Sequence, residues 1–125
     1  MLKISREVDL GLLLMAELCR EKSLSLSEWA RKKKLPYRFL SKIAGKLKKA
    51  GLIKSREGRE GGYFLTKKIK VGEIFKAIEG DKGIVACLQG HLCAAAKFCQ
   101  QRKVLVKLSQ VMEQQLNKMN LEDLC

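Results

Sequence analysis

The chain's one proline, Pro36, falls between two short amphipathic stretches and constrains where each can run. Proline breaks a helix interior but suits a first turn, where its missing N–H is not needed. Upstream, Ser25 and Glu28 form an S-x-x-E capping box with Leu26, Trp29 and Ala30 behind it, which predicts a helix to about Lys33. A sharp stop follows at Leu35-Pro36. The next helix starts there, with Leu40, Ile43, Leu47 and Ala50 on its buried side and Gly51 closing it. Two short helices joined by a tight turn make a helix-turn-helix.

The flanking segments fit around that unit. Ser5 can cap a first helix through about Arg20, in which Val8, Leu12, Met15, Ala16 and Cys19 share a stripe. Beyond Gly51, the β-compatible runs Leu52 to Arg56 and Tyr63 to Thr66 flank Glu57-Gly58-Arg59-Glu60-Gly61-Gly62, a glycine-rich hairpin tip that reads as a wing. A helix from Val71 to Glu79 ends at Gly80, and an irregular cysteine-bearing segment covers Gly83 to Cys99. From Gln100 to Met119, Val104, Leu108, Val111, Gln115 and Met119 recur on one side with Leu105, Met112 and Leu116 beside them. That stripe is either a dimer seam or core. The expected fold is mainly α with a small β-hairpin wing, a winged helix-turn-helix followed by a long C-terminal helix, a dimerisation helix where its stripe is a seam. The expected division is a DNA-binding domain over 1–80, a cysteine loop over 81–99, and a dimerisation helix with its tail over 100–125.

Charge is distributed unevenly over this plan. Residues 1–70 hold 19 Lys and Arg against 7 acids, whereas residues 71–125 hold 7 against 6. Between Arg31 and Lys70 there are 15 basic residues, opposed only by Glu57 and Glu60. Such density reads as a footprint for a polyanion, with nucleic acid the commonest, and a solvated helix face as the competing reading. In a helix-turn-helix the second helix enters the major groove by its N-terminal residues, which nominates Tyr37, Arg38, Ser41 and Lys42. Arg38 suits a bidentate grip on guanine, and Phe39 suits the core. Lys32, Lys33, Lys34, Lys46, Lys48, Lys49 and Arg56 read as phosphate contacts, and Arg59 as the wing-tip residue in or near a minor groove. The longest apolar run, Leu12 to Ala16, cannot span a bilayer, and no signal peptide is visible, so a cytoplasmic chain without a membrane partner is expected. There is no Ser-His-Asp set, phosphate-cradling motif or paired-carboxylate site, which argues against an enzyme.

Five cysteines, an odd number, are expected in a reducing compartment as core residues, metal ligands or redox thiols rather than as a disulfide framework. Cys19 lies on the first helix's stripe and reads as core, and Cys125 reads as a free thiol. Cys87, Cys93 and Cys99 repeat a C-x5-C interval twice, with His91 between two of them reading as a solvent-facing loop residue in preference to a further ligand. Soft thiolates suit an iron–sulfur cluster, a thiol switch forming a disulfide on oxidation is a rival, and zinc fits less well because it favours tighter spacing.

The segment from Leu40 to Leu52, then Gly61-Gly62-Tyr63, Ala77-Ile78-Glu79-Gly80, three cysteines and a long helix together resemble the Rrf-two (Rrf2) family of bacterial winged-helix transcription regulators over nearly the whole chain. The resemblance implies a homodimer crossed through the long helix, a double-stranded operator as partner, and a two-iron or four-iron cluster on Cys87, Cys93 and Cys99. IscR-type members supply a histidine shortly after the third cysteine, but Gln100-Gln101-Arg102 stands here instead. NsrR-type members supply an aspartate near the start of the first helix, and Asp9 occupies that place. It would come from the partner subunit. The expected function is therefore a transcriptional regulator sensing iron–sulfur status, oxidants or nitric oxide. The alternatives are a cluster-free regulator answering to thiol oxidation or a partner protein, as in the CymR-type branch, and, in another class, a small iron–sulfur redox protein.

Overall fold

In the computed structural model, which describes residues 3–56, 62–80 and 100–125, the elements are five α-helices and a small antiparallel sheet. The order is α1 (Arg6–Glu21), β1 (Ser23–Leu24), α2 (Leu26–Lys33), α3 (Tyr37–Lys49), β2 (Ile53–Arg56), β3 (Gly62–Leu65), α4 (Val71–Glu79) and α5 (Arg102–Lys118), followed by a 3-10 turn at Leu121–Leu124. No described helix is long and apolar enough to cross a membrane.

Local chemistry explains most boundaries. The Ser5 hydroxyl accepts from the Val8 amide at 3.3 Å and starts α1. At the end of α2, Lys34 adopts the left-handed conformation (φ 55°) and the Leu35 amide bonds back to the Ala30 carbonyl at 2.8 Å. Pro36 is the N-cap of α3, one position earlier than expected. Gly51 takes φ 81° after α3, where the Leu52 amide reaches the Leu47 carbonyl at 3.1 Å. The expected capping box at Ser25 does not form: Ser25 makes no side-chain cap bond, and its hydroxyl lies 3.4 Å from that of Ser27. Glu73 does reach back in this way, accepting from the Lys70 amide at 2.9 Å and pairing with Lys67 at 2.9 Å. Those two contacts, the amide bond first, hold its carboxyl below the usual range.

The core lies where α1, α3 and α4 meet. Val8, Leu14, Met15, Leu40, Ile43, Leu47 and Ile74 are fully buried there. Helix α1 turns a different stripe inward than its spacing suggested: Leu10, Gly11, Leu14 and Leu18 are buried with Val8 and Met15, while Leu12, Ala16 and Cys19 are half-buried. It is wrapped on several sides, so no single stripe describes it. On α3, Ala44 is buried and Ala50, expected inside, is exposed at the helix end. Gly11 lets the helices close: a Cβ there would run into the Ile78 side chain and sit 3.5 Å from that of Ile43. Gly72 plays the same part for α5, with Asn117 occupying the space its Cβ would need.

The sheet has the order β1-β3-β2, with Ile53 opposite Leu65, Arg56 opposite Gly62, and Ser23 opposite Phe64. Strands β2 and β3 are the hairpin expected from the sequence; β1 was not anticipated. Beyond α5 the chain returns to the body, with the Leu121 amide on the Ile69 carbonyl (2.9 Å), the Val71 amide on the Met119 carbonyl (2.8 Å) and Leu121 buried.

Candidate nucleic-acid interface and cysteine sites

Helix α3 has two chemically distinct faces because its apolar residues recur at three- and four-residue steps. Leu40, Ile43, Ala44 and Leu47 point into the core, and Phe39 packs against its edge. The opposite face carries Tyr37, which is 51% exposed, with Arg38 and Lys42 exposed and Ser41 half-buried. All four nominated residues thus sit on the first turns of one helix, and the three largest are open to a ligand. No described carboxylate pairs with Arg38, whereas Lys42 lies 3.8 Å from Glu7.

The surrounding lysines divide into two groups. Lys46, read from sequence as a phosphate contact, donates to Glu7 at 2.8 Å and to the Ile78 carbonyl at 3.3 Å, and so ties α3 to α1 and α4. Lys48 donates to the Ser55 hydroxyl at 2.8 Å and couples α3 to the wing, but it is also exposed, and its ammonium keeps donors for a further acceptor. By contrast, Lys32, Lys33, Lys34 and Lys49 are exposed with no partner among the described carboxylates. Several of these close the last turns of α2 and α3, where positive charge also complements the helix dipole.

On the wing, Arg56 lies over the Phe64 ring, 5.2 Å from its centroid, which restrains the guanidinium while leaving it exposed. Lys54 is exposed two residues earlier on the same strand. The sequence reading missed it, although strand alternation after the buried Ile53 places it beside Arg56. Arg59, the expected wing-tip residue, lies outside the described residues.

The cysteines separate likewise. Cys87, Cys93, Cys99 and His91 lie outside the described residues. Asp9 is exposed in the first turn of α1. Nearby, Ser5, Arg6, Glu7, Phe39, Lys46, Ile78 and Glu79 line a cleft of about 410 Å³, alongside the end of α4 from which the cysteine segment departs. Among the described residues no three ligating side chains converge. Cys125 corrects the expectation of a free thiol: it is disulfide-bonded to Cys19, with Cα atoms 5.9 Å apart across a separation of 106 residues. The burial of Leu121 carries the chain back to α1, a long-range return that local spacing does not reveal.

Two helices crossing through a three-residue turn, with a two-stranded hairpin behind a basic second helix, define a winged-helix DNA-binding module. The comparisons narrow this class. The chain belongs to the Rrf2 family, whose model, described as "Iron-dependent Transcriptional regulator", matches residues 4–125. It is 30% identical to the HTH-type transcriptional regulator CymR of Bacillus subtilis, over 98% of this chain and 89% of that protein. It is 26% identical to the HTH-type transcriptional repressor NsrR of Streptomyces coelicolor, over 83% of this chain and 72% of that one. Among solved structures it resembles the B. subtilis global cysteine regulator CymR (TM-score 0.76, 32% identity, 99% of this chain and 96% of that one). It also resembles T. potens IscR (TM-score 0.76, 30% identity, 98% and 85%). These relatives are transcriptional regulators and not enzymes, which sets aside the redox-protein alternative.

Proposed function

We propose that this chain is a cytoplasmic, homodimeric transcriptional regulator that binds a pseudo-palindromic operator and holds an iron–sulfur cluster on Cys87, Cys93 and Cys99, with the partner's Asp9 as fourth ligand. The observation that carries this reading is the doubled C-x5-C run that follows α4 in the sequence, in a family described as iron-dependent. The donor set fits the group: three soft thiolates for iron, and a carboxylate on α1 that is exposed rather than spent in the core. A bound cluster would supply sensitivity to iron–sulfur status, oxidants or nitric oxide. The rest belongs to the protein. The 1–80 unit presents Arg38, Tyr37, Ser41 and Lys42 to the major groove, Lys48 and Lys49 to phosphates and Arg59 to the wing contact, while residues 81–99 bear the thiols and residues 100–125 hold the dimer together.

Anaerobically purified protein is expected to show broad visible absorbance with bound iron and sulfide, and Cys87→Ala, Cys93→Ala and Cys99→Ala should each abolish it and alter operator affinity. If all three variants keep the parental spectrum, the ligand assignment is wrong. A colourless protein that reconstitution cannot fill would favour the cluster-free reading, supported by the likeness to CymR. On the DNA side, Arg38→Ala should weaken operator binding by about 1–3 kcal/mol and relax specificity at one base pair. Lys49→Ala should instead weaken all duplexes alike and lower the salt slope by about one. Fluorescence anisotropy over a salt series distinguishes the two, and equal losses on specific and random duplexes for Arg38→Ala would remove it from base reading.

A further inference from the structure

We propose that Cys19 and Cys125 form a redox site of their own, a dithiol–disulfide pair oxidised by hydroperoxides, which staples the segment after α5 to α1. This goes beyond the cluster reading and uses none of its ligands. Three observations carry it. The fold holds the two residues bonded, with Cα atoms 5.9 Å apart, inside the range that a disulfide bridges without backbone movement. The pair is asymmetric in access: Cys125 is exposed and Cys19 is half-buried against the core. Finally, contacts other than the disulfide bring the residues together, because Leu121 is buried, its amide bonds to Ile69, and Lys70 pairs with Asn120 across an antiparallel bridge. Reduction therefore leaves the thiols as neighbours, ready to close again.

The chemistry balances with a hydroperoxide as oxidant. The exposed Cys125 thiolate attacks the peroxide, an S–O bond forms as the O–O bond breaks, and the alkoxide leaves as an alcohol with the thiol's proton. The Cys19 thiolate then attacks the Cys125 sulfenic sulfur, the S–S bond forms, and hydroxide departs as water on taking up the second proton. Two thiols lose two electrons and the peroxide gains them. A dithiol reductant reverses the step by exchange.

The staple matters because of what it joins. Helix α1 is coupled to the reading helix through Glu7 and Lys46, 2.8 Å apart. The segment after α5 continues from the helix that carries an exposed apolar stripe. Closing the bond fixes one against the other, so a peroxide signal enters the geometry of the DNA-reading unit without passing through Cys87, Cys93 or Cys99.

The test uses the full chain with Cys87→Ala, Cys93→Ala and Cys99→Ala combined, so that the outcome does not depend on a cluster. After treatment with hydrogen peroxide, the expected result is a monomer-length band on a non-reducing gel, loss of about 2 Da, and a cross-linked peptide pair containing Cys19 and Cys125, all reversed by dithiothreitol. The amides of Val71 and Leu121 should exchange about tenfold more slowly in the oxidised form. Adding Cys125→Ser should remove both the cross-link and the exchange difference. Gain of about 32 Da at separate thiols, a disulfide between copies, or equal exchange in the two forms would each overturn the proposal. Peptide mapping of the unsubstituted protein guards against misfolding of the variant: there too Cys19 must be found joined to Cys125, and a link from either to Cys87, Cys93 or Cys99 overturns it.

Discussion

Leu108→Glu combined with Val111→Glu should make the chain sediment as a monomer and cost at least about a hundredfold in operator affinity, with helical content retained. Helix α5 has no buried residue, yet its two sides differ. Leu105, Met112 and Leu116 are half-buried. Val104, Leu108 and Val111 recur at four and three residues on another side and are 67%, 39% and 40% exposed. An apolar stripe on a solvent-exposed helix is the kind of surface that proteins cover, and a two-fold axis through such a stripe makes it complementary to itself. Two glutamates per copy would then face their equivalents across the axis and lose water with no counter-charge, which costs more than the lost apolar contact. Neither residue belongs to the packed core of the DNA-binding unit, so that unit keeps its fold. The affinity loss follows from geometry: a dimer binds its second half-site at high effective concentration, and a monomer forfeits that gain. A variant that stays dimeric in analytical ultracentrifugation would move the seam away from this stripe.

What the sequence made legible was whatever short-range chemistry specifies. Pro36, Gly51 and Gly80 mark helix boundaries because each acts on its own backbone, and α4 runs over the expected residues. The capping pattern at Ser25 located α2 correctly, but its side-chain bond is absent, so the helix relies on burying Leu26, Trp29 and Ala30. The alternating run of β2 pointed to the hairpin. Strand β1 escaped notice because two residues carry no periodicity, and only pairing of Ser23 and Leu24 with β3 makes them a strand. The partner of Lys46 escaped notice for a related reason. In one dimension the lysine belongs to a basic run; in three it finds Glu7 from 39 residues away. The Cys19–Cys125 bond, spanning 106 residues, depends on tertiary return in the same way. On α3 the periodicity was enough, since the face that is not apolar is the exposed one and carries Tyr37, Arg38 and Lys42.

That two-faced character of α3 sets the second large effect. Ile43→Ala should lower stability by about 2–5 kcal/mol, a fall in melting temperature of roughly 10 °C or more, while the protein that remains folded binds DNA with nearly parental affinity. Ile43 is fully buried where α1, α3 and α4 converge, and the residue facing it across the junction is Gly11. Glycine has no side chain with which to fill the space a smaller residue leaves. Ile78 already fills the other side of Gly11, and moving it would disturb α4, whose Ile78 carbonyl accepts from Lys46 at 3.3 Å. The cavity therefore stays largely open, and the cost lies above that of simply transferring the lost methyl groups to water. Arg38 provides the contrast from five positions earlier on the same helix. Being exposed and outside the core, Arg38→Ala should leave melting nearly unchanged and act on affinity instead. Calorimetry and anisotropy on the two variants make a crossed test, in which one loses stability and the other loses binding. Should Ile43→Ala melt like the parent, the convergence of α1, α3 and α4 at Gly11 is not the structural centre of the domain. Should it instead lose affinity at temperatures where it is fully folded, the packing of α3 on α1 and α4 sets the angle at which the reading helix meets DNA, and the two faces are mechanically coupled through the Glu7–Lys46 pair.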